Sequence, residues 1–224
     1  MNGGAARILA LGAHPDDVEI YCLGLLLALR ERGWTIGWAV ATDGQGALPD
    51  GAAPDLRRAE ALAAGERVGV TPGLLGLVDG ALDYTADALA RVRHCIRDFA
   101  PSVVVTHSPN DYHADHRVLS RLVADTCPAG VGLVYCDTML GVGFEPVLLA
   151  DVTATYELKI EALRAHASQG VEPFEAGLRT WHRFRALQSG NRAIQYAEAF
   201  APFETVANRK AVQRFRTDLF GSAP

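Results

Sequence analysis

The chain has 224 residues, 49% of them hydrophobic, with a formal net charge of −5 and four cysteines. That is enough apolar material to fill the core of one α/β unit, and an acidic balance without a basic run argues against nucleic acid or an anionic membrane surface as partner. The longest apolar stretch, Ile20 to Leu29, is far short of the roughly 18 residues of a membrane span, and Met1 to Arg7 lacks the charged segment and apolar core of a secretion signal, so a cytoplasmic protein acting on small molecules is expected.

In chain order, Ile8 to Leu11 reads as a buried strand, Val18 to Arg32 as a helix ending at Gly33, and Thr35 to Ala41 as a second strand. Asp55 to Val68 has helical spacing, Leu74 to Val78 is a short strand, and Thr85 to Phe99 is an amphipathic helix that Pro101 follows. Val103-Val104-Val105 carries the strongest parallel-strand signal. A helix from Asp115 to Asp125, a strand from Val131 to Tyr135, a further strand from Val147 to Ala150 and a long helix from Thr153 to Ala167 complete the readable elements. Alternating strands and helices predict a Rossmann-like, mostly parallel sheet with helices on both faces. No repeat or linker divides it, so residues 1–224 are expected to form a single domain, with 171–224 an extension of it. Cys22, Cys95, Cys127 and Cys136 show no C-x-x-C spacing and read as buried apolar thiols.

Two strand ends carry the chemistry. Ala13-His14-Pro15-Asp16-Asp17-Val18-Glu19 follows the first strand, and His113-Ala114-Asp115-His116 follows the Val103 strand. Ligands of open α/β sheets lie beyond the carboxyl ends of the strands, so both clusters are expected at the same edge. A catalytic zinc takes three protein ligands, usually histidine and carboxylate, and keeps a fourth position open. His14, Asp17 and His116 can supply that set. His14 and Asp17 share a face if a helix begins there, with Pro15 at its first position and both aspartates near its positive end. Asp16, aimed differently from Asp17, remains free as a base, and Asp115 lies between His113 and His116 to orient a ring N–H. Either cluster alone reads as a helix cap; together they point to a zinc-dependent hydrolase.

Those two strings closely resemble the signature motifs of the LmbE-like, or PIG-L, family of zinc deacetylases. Thr42-Asp43-Gly44, Arg57 with Glu60, Asp79-Gly80 and the segment from Lys159 to Gln169 resemble further family pieces in the expected order, so the resemblance covers about residues 6–170. Ala114 departs from it, where the family often has proline. The resemblance implies Zn²⁺ held by His14, Asp17 and His116, Asp16 as general base, and His113 as the histidine that stabilises the oxyanion, partnered by Asp115. It also implies removal of an acetyl or other acyl group from the nitrogen of an amino sugar, glycoconjugate or related small molecule.

The other polar residues past strand ends have two readings each. Asp43-Gly44 and Asp79-Gly80 are good turn sequences and equally good substrate contacts, while Arg57 near a zinc pocket suits a hydroxyl or carboxylate. Asp111 and Tyr112, on the loop before His113, complete the candidate substrate residues Asp43, Arg57, Asp79, Asp111 and Tyr112. His107 reads as a strand-end histidine or a support for the site, and His166 as packing or a subunit contact. A rim of this kind is expected to be polar with little apolar surface. Competing readings are a zinc hydratase of an unsaturated dicarboxylic acid, a non-haem iron oxygenase suggested by the H-x-D string at His113, and a nucleotide-binding module, which lacks its glycine-rich turn here. A homo-oligomer is compatible with these features.

Overall fold

The computed structural model describes residues 5–48, 50–53, 55–141 and 143–220; the ends of the expected 1–224 domain span therefore lie outside the described residues. Its first half is the expected alternation: β1 (Arg7–Gly12), α1 (Asp17–Tyr21), α2 (Leu23–Glu31), β2 (Thr35–Thr42), α3 (Leu56–Arg67), β3 (Gly73–Leu77), α4 (Ala86–Phe99) and β4 (Val103–Thr106). The second half runs α5 (Ala114–Thr126), β5 (Gly132–Cys136), β6 (Leu148–Asp151), α6 (Tyr156–Leu163), α7 (Val171–Gln188), β7 (Ala197–Phe203) and α8 (Arg209–Phe220).

Among the described residues the strands form one seven-stranded sheet in the order β3-β2-β1-β4-β5-β7-β6. Pairings from β3 to β5 are parallel, whereas β7 runs antiparallel to both β5 and β6. Alternation along each strand splits the core in two. Ile8 and Ala10 of β1 join Val103 and Val105 of β4 under α2, α6, α7 and α8, while Leu9, Leu11 and Val104 pack on the other face under Ile96 of α4 and Leu119 of α5. Both faces are thus covered, as parallel strands require. This α/β sheet is not the all-β barrel in which the iron-oxygenase reading would sit.

Three expected elements differ. The helix foreseen from Val18 to Arg32 is broken at Cys22, whose φ is −151°. There the Glu198 carboxylate of β7 accepts from Gly24 N–H and Leu25 N–H at 3.0 and 2.8 Å and caps the new helix start. The strand near Val147 pairs antiparallel with β7, a strand in the segment that gave no readable signal. The long helix expected to reach Ala167 stops at Leu163 and tightens into a 3₁₀ turn at Ala167–Gln169, with His166 turned inward to Glu19 Oε1 at 3.1 Å. Among the described residues no helix is long and apolar enough to cross a membrane. Cys22 and Cys136 are buried as expected, Cys95 and Cys127 partly so, and all four are free thiols.

Candidate metal centre and active site

Strand order reverses between β1 and β4, which are parallel neighbours with Leu11 opposite Thr106. Segments leaving these two strands start side by side, and the crevice at such a switch point is where ligands of open sheets bind. After β1 the chain turns through His14 and Pro15, and helix α1 begins only at Asp17. Asp16 lies in the left-handed region, φ 112° and ψ −24°, so Pro15 is not the first helical residue as the sequence suggested. A non-glycine residue held there costs on the order of 1–3 kcal/mol, and the twist sends the Asp16 and Asp17 carboxylates in different directions. Asp16 Oδ2 meets Arg57 Nη2 at 3.1 Å, whereas Asp17 Oδ2 accepts from His14 N–H at 2.7 Å. Gly12 is required beneath this turn, because a Cβ there would stand 2.8 Å from Asp17 Cβ.

His14, Asp17 and His116 converge. His14 Nδ1 is 3.2 Å from His116 Nε2 and 3.3 Å from Asp17 Oδ2, and His116 Nε2 is 3.3 Å from Asp17 Oδ1. Ligands at about 2.0–2.1 Å from a tetrahedral zinc stand roughly 3.3–3.4 Å apart, so the two ring nitrogens are spaced for such an ion, and Asp17 turns one oxygen to each of them; further sets able to hold a metal, His14 with His113 and His116 and Asp17 with His107 and His116, share these residues. The far side of each ring is held by aspartate. His14 Nε2 lies 3.1 Å from Asp79 Oδ1 and 3.2 Å from Asp115 Oδ2, and His116 Nδ1 lies 3.1 Å from Asp111 Oδ1, in charge contact rather than an aligned hydrogen bond. Carboxylates behind metal-binding histidines fix the ring orientation and raise its basicity. His107, at the end of β4, stacks on His116 with centroids 3.7 Å apart and puts Nε2 3.1 Å from Asp17 Oδ2.

The electrostatics favour positive charge at this point. Burial opposes an imidazolium at His14, but hydrogen bonds to Asp17 and Asp79 outweigh it and push the ring up to about 11; the same opposition at His116 is overcome mainly by Asp17, to about 9. Burial and the neighbouring His116 instead take His107 down to about 4. Asp17 is held well below the carboxylate range, since His116 and His107 override its burial. Burial carries Asp16 up to about 7 despite Arg57. His113 is lowered by burial and by the adjacent His14 and His116, and its Nδ1 accepts from Asp115 N–H at 3.2 Å, capping α5. The proton of a neutral His113 ring therefore sits on Nε2.

A cavity of about 420 Å³ opens above the cluster, lined among others by Asp16, Arg57, Asp79, Tyr112 and His113. The remaining expected site residues fall elsewhere. Asp43 is a turn residue whose Oδ1 accepts from Gln45 and Asp79 N–H at 3.1 and 3.3 Å, and Asp111 is buried behind His116; neither lines the cavity. Asp115 does not set its carboxylate against the His113 ring. Its Oδ2 accepts from Gly80 N–H at 2.8 Å and faces His14 instead. Arg57 lines the cavity while donating to Pro15 O and, at 3.4 Å, to Gly44 O, so it braces the Asp16 turn. Gly44 has φ 71°, and a Cβ on it would meet Pro15 Cδ at 2.8 Å.

Sequence reasoning missed Ile20, Tyr21, Met139, Leu163, Gln169, Val171 and Phe174, all in the lining. The first two had a signal, since they follow Asp17 by three and four residues and share its helix face. Leu163 and Gln169 lie in the Lys159–Gln169 segment that carries the family resemblance, and the others had none. With Ile20, Tyr21, Met139, Leu163, Val171 and Phe174 present, the lining is far from the almost wholly polar rim that was expected.

A family model described as PIG-L, GlcNAc-PI de-N-acetylase, matches residues 9–127. The chain is 29% identical over 219 residues to a diacetylchitobiose deacetylase of Thermococcus kodakarensis, covering 86% of this chain and 81% of that protein. It is 27% identical over 186 residues to a probable N-acetyl-alpha-D-glucosaminyl L-malate deacetylase of Bacillus subtilis, covering 73% and 83%. Among solved structures, the 4-carboxy-2-hydroxymuconate hydratase of Pseudomonas putida superposes with a TM-score of 0.81 at 20% identity over 89% of this chain and 97% of that one, a likeness of fold.

Proposed function

The chain belongs to the PIG-L family, and on that premise we propose that it is a zinc-dependent amide hydrolase that removes an N-acetyl or other N-acyl group from an amino sugar or related small molecule. The observation that carries this reading is the convergence of His14, Asp17 and His116 within 3.3 Å of one another, each ring backed by aspartate. These three residues would hold the ion. When bound, zinc supplies Lewis-acid polarisation of the acyl carbonyl and acidifies water to a pKa near about 7. Residues 171–220 act in this reading as part of the same domain, because Val171 and Phe174 line the pocket and β7 lies in the same sheet.

The protein's own groups do the rest. Asp16, raised by burial to about 7 and aimed by Arg57, takes a proton from the attacking water as its oxygen adds to the acyl carbon. His113 donates from Nε2 to the oxyanion that develops on the former carbonyl oxygen; one such donor is worth roughly 100-fold to 1000-fold in kcat. The C–N bond then breaks, Asp16 returns the proton to the leaving nitrogen, and a carboxylic acid and an amine depart. Asp79 and Asp115 keep His14 oriented, and Asp111 does the same for His116. Arg57, Asp79 and Tyr112 offer the sugar its polar contacts.

The test incubates the zinc-loaded protein with N-acetylglucosamine, an N-acetylated alkylamine and an unsaturated dicarboxylate. Acetate and primary amine should appear in equal amounts, fastest from the sugar. Loss of the double bond with no amine released would replace the amidase by the hydratase.

A further inference from the structure

The cavity lining is of two kinds. Gly46, Arg57, Asp79 and Gly80 form one set, from the loops after β2 and β3 and the start of α3, with Gly46 N–H donating to Asp79 Oδ2 at 2.9 Å; Ile20, Tyr21, Met139, Leu163, Val171 and Phe174 form the other, an apolar wall whose members all belong to or pack against one hydrophobic core. These six carbon-rich residues come from α1, the loop after β5, the end of α6 and the start of α7, so no single amphipathic helix accounts for them. Ile20 and Tyr21 lie on the same helix face as Asp17, so the apolar wall adjoins the reacting centre. Ile20, Leu163 and Val171 are buried and belong to the main core, which makes the wall firm. Met139 and Phe174 remain partly open above it.

Two groups diverge from an amide held at the centre: the acyl chain and whatever the amine carries. A sugar satisfies the wall of Arg57 and Asp79 with its hydroxyls. An acetyl methyl would leave most of the apolar wall against water, which a pocket meant for acetyl alone has no need to build. We infer that the substrate carries an apolar group of several carbons in addition to its sugar, as an N-acyl chain longer than acetyl or as an apolar aglycone, and that Met139 and Phe174 select for it. This rests on the amide-hydrolase reading.

The experiment compares kcat/KM for N-acetylglucosamine, N-hexanoylglucosamine and n-hexyl β-N-acetylglucosaminide. Each fully buried methylene is worth about fourfold, and in this half-open pocket at least about tenfold is expected for one of the two hexyl-bearing compounds over the plain sugar. Which compound gains tells whether the acyl chain or the aglycone meets the wall. Phe174→Gln and Met139→Gln, at partly open positions where folding is checked by circular dichroism, should each cut that ratio several-fold. Turnover of all three substrates within about twofold would overturn the apolar-group inference and leave the amide hydrolase standing. Turnover of none would overturn the amidase reading, and calorimetry then decides the wall on its own: tighter binding of n-hexyl β-glucosaminide than of glucosamine, with a negative heat-capacity change, supports it, and equal binding defeats it.

Discussion

Two of the buried ionic clusters among the described residues differ in how their hydrogen bonds close. In the first, Lys159 of α6 is fully buried and spends its three donors on Glu198 Oε1 at 2.5 Å, Ile20 O at 2.9 Å and His182 Nε2 at 3.4 Å. Glu198 also accepts from two amides of α2, and His182 Nδ1 meets Tyr156 OH at 2.9 Å. Every group has a partner. In the second, at the ends of β1 and β4, ring nitrogens face ring nitrogens and four aspartates crowd three histidines. Among the described residues, buried His107 Nδ1, Asp111 Oδ2 and Arg57 Nε have no hydrogen-bond partner, and Asp16 is held in a left-handed conformation. Burial and charge are common to both. A surplus of ligating atoms, turned toward a cavity, separates a site from a structural clamp.

Removing a converging atom should therefore abolish function and spare the fold. His116→Ala should empty the centre of zinc, measured by mass spectrometry of the purified protein, and take amide hydrolysis below detection with an unchanged circular dichroism spectrum. Full metal content and activity in this variant would break the ligand assignment.

Next in size comes the contrast between neighbours. Asp16→Asn should retain zinc yet lose roughly 100-fold to 10,000-fold in kcat with little change in KM, whereas Asp17→Asn should lose zinc because a neutral amide is a poorer ligand than a carboxylate. Equal metal loss in both would erase the division of labour that the Asp16 twist creates.

The clamp answers in stability instead. Lys159→Met strands the Glu198 carboxylate in the core and should destabilise the fold by about 3–5 kcal/mol, read from the denaturant midpoint. Adding Glu198→Gln should restore more than half of that. A double variant as unstable as the single one would mean that packing of the lysine stem, rather than its charge, holds the α1–α2 junction.

The smallest effect is a displaced pH profile. In the proposed reaction Asp16 has to be ionised, so kcat/KM should fall tenfold per unit as pH drops below about 7, the region to which burial raises this carboxyl. Arg57 favours the charged form, and Arg57→Ala should move that acidic limb to higher pH by about one unit. An unmoved limb would show that the guanidinium serves only Pro15 and Gly44.

Much of this was legible in the sequence because the relevant residues are covalent neighbours. His14, Asp16 and Asp17 follow one apolar run, His113 to His116 follow another, and Leu9 to Leu11 and Val103 to Val105 are hydrophobic enough to announce strands. That both motifs lie at the same sheet edge follows from the alternation of strands and helices alone. Less legible were the partners. Asp111, Asp115 and Asp43 occupy positions where any carboxylate would read as a pocket residue or a turn; whether each faces substrate or a histidine ring depends on a loop conformation that no local signal specifies.

The sequence by itself determined the helix–strand alternation, the two chemical strings and the residue types able to hold a metal, since these rest on local periodicity and adjacency. The tertiary structure decided that β1 and β4 are neighbours, which sets His14 against His116. It also decided that β6 and β7 run antiparallel, that Glu198 breaks a helix far away in the chain, and that Val171 and Phe174 of α7 reach the pocket. The physical reason is common to all of these. An apolar residue at helical spacing looks the same whether it will face a core or a cavity, and a buried charge finds its partner only when distant segments pack.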